Sequence, residues 1–213
     1  MRRLIVIWGV LLSLTMTSCI DIIDEIVLNK DKSGKVFIGL QSQMLASVMS
    51  AARQELGPEM AEQLQSFPAA SAEKLKDIKG IHEVNAWDVI SEGRLGIAFS
   101  FDNPKALNRA YYRLMDMEKK WYHPKIVKIG RHHISRRNIT PQLIEQLEEN
   151  NPDIAAAPFI KYLNIRTVLR LPAEAKSVKS DKKAKVTDTG VQIHYSFQEL
   201  LQQDLSTAYK VRF

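Results

Sequence analysis

One cysteine, Cys19, is all that this chain of 213 residues contains. That scarcity excludes a disulfide-stapled secreted fold and a thiolate zinc site. Long apolar runs are scarce too. The stretch from Leu4 to Leu14 falls short of the roughly 20 residues that a comfortable membrane span needs, and nothing later is longer. There is no Gly-x-Ser-x-Gly elbow, no His-Glu-x-x-His pair and no phosphate-cradling glycine loop, so no catalytic residue is expected from motif. Internal repeats and low-complexity tracts are also missing. What remains is ordinary for a globular protein: 45% apolar and 25% charged residues, which excludes wholesale disorder.

Cys19 gains its meaning from what precedes it. Arg2 and Arg3, the apolar run, and then Thr15, Thr17 and Ser18 have the order of a secretory signal. Met16-Thr17-Ser18-Cys19 resembles the lipobox of bacterial lipoproteins. The resemblance implies cleavage after residue 18, a diacylglyceryl thioether on Cys19 and further acylation, such as palmitate, on the new amino terminus. Ser18 supplies the small residue that cleavage requires, and the sulfur supplies the thiolate nucleophile. The expectation is a signal peptide over 1–18 and one envelope domain over 19–213, membrane-bound through lipid. Inner membrane, outer membrane and cell surface stay open. The precursor carries a net charge of +6. A mild positive excess favours anionic surfaces, while the export signal argues against nucleic acid.

Along the mature chain, Ile22, Ile26 and Leu28 alternate with polar residues, Lys30 to Gly34 forms a turn, and Val36, Ile38 and Leu40 resume the alternation. This predicts a hairpin. Met44 to Ala52 has helical spacing, interrupted at Gly57-Pro58, with a turn or two after Glu59. Ser71 then caps a short helix closed by Gly80. Strands are expected over His82–Ile90 and Arg94–Phe101, a helix from Asn103-Pro104, a strand over Lys125–Ile134 and a helix from Thr140-Pro141. Strands over 162–171, 175–178, 184–186 and 191–197 follow, then a short helix near Gln198. The predicted class is α+β, an antiparallel sheet built from hairpins and backed by several helices.

The order of these segments resembles a known group. Asp24 to Asn29 with the Ser33-Gly34 turn, Ile78-Lys79-Gly80-Ile81, Gly96 to Phe101 leading into Lys105 to Asn108, and Leu171 to Val178 together resemble uncharacterised envelope lipoproteins of Bacteroidota. More distantly they resemble LppM-domain lipoproteins. The resemblance implies a lipid- or glycolipid-binding role and brings no catalytic residues.

The strongest candidate for a site is a charge run. From Lys119 to Ile144 there are seven Lys or Arg residues and no Asp or Glu, with Trp121 and Tyr122 at the start. Lys125, Lys128, Arg131 and Arg136 are expected to form an anion-facing surface, amphipathic aromatics beside cations being suited to a lipid headgroup region. A second run, Lys176, Lys179, Lys182, Lys183 and Lys185, is broken only by Asp181. Solvated lysines guarding strand edges are the plain alternative for both. Contact with an anionic glycan or phospholipid gains weight if the two runs share a side. His132 and His133, adjacent in a strand, point to opposite faces and make a poor metal site, even with His123 nearby. The acids Asp24-Glu25 and Glu148-Glu149 are accounted for by a sheet start and a helix end. The methionines, Met44 through Met117, suit a core better than a groove. The sequence therefore predicts a non-catalytic, lipid-anchored envelope protein without metal or cofactor, binding an envelope lipid, glycan or protein partner. An envelope hydrolase and a structural subunit of an envelope assembly are the alternatives.

Overall fold

The structure, a computed structural model, describes residues 20–43, 45–55, 58–117, 119–142, 144–145, 163–182, 184–201 and 205–213. Cys19, Lys183, Glu148 and Glu149 lie outside them. The large sheet has seven strands. Strand β1 (Ile20–Leu28) and β2 (Gly34–Gln41) form the expected hairpin, and β3 (Ile81–Val89) pairs with β4 (Arg94–Phe101) in a second one. The Asp31 carboxylate tightens the first turn by accepting from the Ser33 amide at 3.0 Å. Gly93 closes the second with φ +72°, a left-handed backbone that suits glycine. Strands β7 (Leu163–Arg170), β9 (Lys185–Thr187) and β10 (Gly190–Ser196) complete the order β3-β4-β2-β1-β7-β10-β9.

The sheets are mostly antiparallel, as expected, with one exception. β1 and β7 run parallel, in register from Ile20 opposite Leu163 to Val27 opposite Arg170. More than a hundred residues separate them, so no hairpin constrains their direction. Cross-strand rows explain why this register holds. Phe99, Val36, Ile26, Leu169 and Val191 sit side by side on β4, β2, β1, β7 and β10, and all are buried. A slip of one residue would turn each strand's apolar set to the other face. Ile26 is fully enclosed, and that single side chain contributes about 1.5–3 kcal/mol.

Helices cover this face. After α1 (Leu45–Glu55), α2 runs unbroken from Pro58 to Leu75, where two short pieces were expected. Pro68 lies inside it, yet Ala72, Leu75 and the following Ile78 are buried in the core, and that packing offsets the proline. Helix α3 (Pro104–Leu114) starts as the sequence predicts: the Asn103 side chain accepts from the Lys105 and Ala106 amides, both at 3.0 Å. It buries Leu107, Ala110 and Tyr111.

A second, four-stranded sheet was not foreseen. The predicted strand Lys125–Ile134 is instead a hairpin of β5 (Val127–Ile129) and β6 (His133–Arg136), turning at Gly130 to His132. Strand β11 (Tyr209–Arg212) pairs with β6 on one side and β8 (Ser177–Ser180) on the other, giving the order β5-β6-β11-β8. The short helix α4 (Phe197–Leu201) follows β10. Residues 140–142, 144 and 145 are helical, as Thr140-Pro141 suggested. Ile134, Val211 and Val127 of the small sheet join the same apolar core as Ile26 and Phe99.

Candidate functional site

The small sheet sorts its side chains by the period of two. On its inward side, one row reads Val127, Arg136, Tyr209. On its outward side, the next row reads Lys128, Ser135, Lys210, Lys179. Arg212 stands one pleat further along β11, on the same outward side. Lys128, Lys179, Lys210 and Arg212 are all exposed, and no carboxylate among the described residues lies within ion-pair distance of them. Lys210 and Lys179 are direct cross-strand neighbours, a like-charge placement that costs stability.

The two basic runs of the sequence thus reach one face from opposite edges, Lys128 on β5 and Lys179 on β8, with Lys210 of β11 between them. Lysines at the edges also guard open strands, and Lys185 on the edge strand β9 fits that role. Lys182 leaves the face, being paired with Glu199 at 2.6 Å. The Asp181 carboxylate accepts from the Ser206 amide at 2.9 Å.

From Lys128 the positive surface continues onto the flank of α3. Lys128 and Lys125 line one groove with Lys32, in the turn that follows β1. Lys125 also lines a neighbouring groove of about 510 Å³ with Lys105, Arg109, Lys120 and Trp121. A third hollow shares Arg109 and Lys119 with the second and adds Lys79 and Arg113, and Asp77 is the one carboxylate among the described residues lining the three. Trp121 is 94% exposed. The loop that carries it is held firmly: His123 stacks on Tyr112 at 5.2 Å, Tyr122 meets His123 edge-on at 4.7 Å, and the Lys119 ammonium donates to the Lys120 carbonyl at 2.5 Å and to the His123 carbonyl. The indole stands out on an ordered support.

The four residues expected to face anions therefore divide. Lys125 and Lys128 line the surface, and Arg131 is exposed in the β5–β6 turn. Arg136 is a correction. It points inward beside Ile134, and its guanidinium donates to Asp24 of β1, both side chains being only 10% accessible. The Tyr111 hydroxyl donates to the other Asp24 oxygen at 2.8 Å, and the Arg136 guanidinium lies over the Tyr111 ring. Asp24 is buried between Ile38 and Thr167 on the neighbouring strands. Burial lowers the Arg136 pKa from its ordinary value, raises that of Tyr111 well above 10, and pushes Tyr195 and Tyr209 up to about 12. The hydroxyls of both latter tyrosines are buried without a hydrogen-bond partner, as is Nε of Arg136. This cluster ties β1, α3 and β6 together through the interior.

Among the described residues no three His, Cys, Asp or Glu side chains converge as metal ligands, and no helix is long and apolar enough to cross a membrane. Sequence reasoning missed Lys32, Lys105, Arg109, Lys210 and Arg212. The last two were readable from the alternation of Tyr209, Val211 and Phe213 with cations.

No protein-family model matches the chain, and no curated protein matches it either. Among solved structures, the NMR structure of the folded domain of LppM from Mycobacterium tuberculosis is similar, at 12% identity and a TM-score of 0.42, covering 92% of this chain and 91% of that one.

Proposed function

We propose that the protein is a non-catalytic, lipid-anchored component of the bacterial cell envelope that binds an anionic envelope partner, a lipid, a glycan or an acidic protein, through the cationic face of its small sheet and the grooves along α3. The observation that carries the reading is the row Lys128, Lys210 and Lys179, reached from three strands and left without carboxylate partners among the described residues. A solvated surface has no need to place like charges directly opposite one another, at a cost of some tenths of a kcal/mol. An anion lying across the row relieves that repulsion.

The hydrolase alternative gains nothing from Asp24, which is enclosed and held by Arg136 and Tyr111. The structural-subunit alternative calls for a broad apolar patch. The exposed large apolar residues described are few: Phe67, Met117, Trp121, Tyr122 and Val186.

Thermal unfolding of the full-length protein in neutral detergent tests the binding. Added phosphatidylglycerol or an anionic polysaccharide is expected to raise the midpoint, less so at high salt, because the Debye length falls from about 10 Å at 0.1 M to about 3 Å at 1 M. No shift with any anionic additive would refute the reading. Anchorage is tested separately: Cys19→Ser is expected to stop incorporation of labelled palmitate and release a folded domain.

A further inference from the structure

We propose that the partner is the anionic surface of the bilayer holding the chain's own anchor, with Trp121 seated among the headgroups and β1 lying along the membrane plane. This rests on the lipid-anchored reading above and goes further in naming the occupant and the orientation. Three observations lead to it.

The first is the form of the aromatic loop. Trp121 is almost wholly exposed where it lines the groove, and the ring of Tyr122 is turned 87° from it, so the two offer no shared platform. Sugars are gripped in concave sites where aromatic platforms face carboxylates or amides. Here the charged neighbours along the groove are cations, Lys105, Arg109, Lys119, Lys120 and Lys125, and its one amide, Asn108, is already held by the Pro104 carbonyl and the Val127 backbone. An amphipathic indole above a ring of lysines matches a bilayer interface, where the ring rests at the headgroup level and cations meet lipid phosphates.

The second is rigidity. Because His123, Tyr112 and Lys119 hold the loop, exposure of the indole reflects an ordered backbone. Little conformational entropy is lost when it docks.

The third is position. Ile20, the residue after the anchor cysteine, opens β1, and Lys32 lies just beyond its far end. The nine residues of the strand, eight steps of about 3.3 Å, separate its ends by about 26 Å. If the anchor holds one end at the bilayer and the Lys32–Lys125 groove meets the same bilayer, β1 cannot stand upright. Tethering so close to residue 20 gives the surface a high effective concentration of lipid, so weak individual contacts suffice.

The test uses the full-length acylated protein reconstituted in liposomes of phosphatidylcholine, with or without phosphatidylglycerol. Tryptophan emission is measured with lipids brominated near the headgroup and with aqueous acrylamide. The Trp121→Phe protein supplies the background from Trp87, the other tryptophan left once the signal peptide with Trp8 is removed. The Trp121 component is expected to be quenched by brominated lipid, and shielded from acrylamide, only when phosphatidylglycerol is present. Lys105→Glu with Lys125→Glu, both exposed and remote from the interior cluster, is expected to reduce that quenching by more than half. Trp121 remaining open to acrylamide on anionic liposomes would overturn the proposal. So would equal quenching on neutral and anionic ones. If the anion-induced midpoint shift survives in either case, the broader binding reading stands with a different occupant. If that shift is lost as well, both fail.

Discussion

The two faces of the small sheet carry cations one residue apart in register and use them in opposite ways. Arg136 and Lys210 occupy paired strands, separated by a single pleat. Arg136 is enclosed and has Asp24 as its counter-ion. Lys210 is exposed and stands opposite another lysine. The inward cation is a structural tie whose loss the fold should feel. The outward one adds nothing to stability, and the reading proposed here gives it a partner outside the molecule.

The largest effect should come from breaking the inward pair by one side only. Asp24→Ala leaves a buried guanidinium without its counter-ion, a loss of about 3–5 kcal/mol. Urea unfolding measures it, and a loss under about 1 kcal/mol would mean that Arg136 escapes to water. Asp24→Leu combined with Arg136→Met should be more stable than either single change, because the apolar pair strands no charge.

Tyr111→Phe should cost less, about 1.5–3 kcal/mol, since it removes one hydrogen bond to a carboxylate that keeps Arg136. Full stability in Tyr111→Phe would detach the helix from the cluster.

A pH series sharpens the contrast further. Tyr195 and Tyr209 are raised to about 12 by burial, while an unfolded tyrosine titrates near 10. Between those values the unfolded chain has released protons that the native one retains. Stability should therefore be flat with respect to these groups below pH 10 and fall as the pH rises toward 12. Their hydroxyls lack partners, so Tyr195→Phe and Tyr209→Phe should be close to neutral at pH 7 and should reduce the alkaline fall. An unchanged alkaline slope in the double variant would place its origin elsewhere.

How much of this was legible in the sequence depended on how local the cause was. The first hairpin, the Asn103 cap, the Gly93 turn and the general α+β class follow from neighbours in the chain. The parallel pairing of β1 with β7 does not, because it depends on which apolar faces meet across a long separation. The full length of α2 does not either, because packing of Ala72 and Leu75 in the core carries the helix through Pro68 and past Ser71, which the sequence offers as a cap. Gly130 was the missed turn signal, and reading one strand through it hid the hairpin. With β6 recognised, the alternation of His133, Ile134, Ser135 and Arg136 already turns Arg136 inward beside Ile134. Lys128 and Lys179 fall in two separate runs of the sequence and Lys210 in neither, since only the register of β11 brings the three to one face.

The smallest effect on stability should accompany a large effect on binding, and Lys210→Glu isolates it. A carboxylate between Lys128 and Lys179 turns a repulsive row into an attractive one, so unfolding stability should hold or rise by a few tenths of a kcal/mol. The affinity of the full-length protein for phosphatidylglycerol should fall more than tenfold, since reversing one charge near an anionic surface removes one attraction of about 1 kcal/mol and adds a repulsion. Unchanged affinity in Lys210→Glu, with the fold intact, would contradict the assignment of this face to an anionic partner.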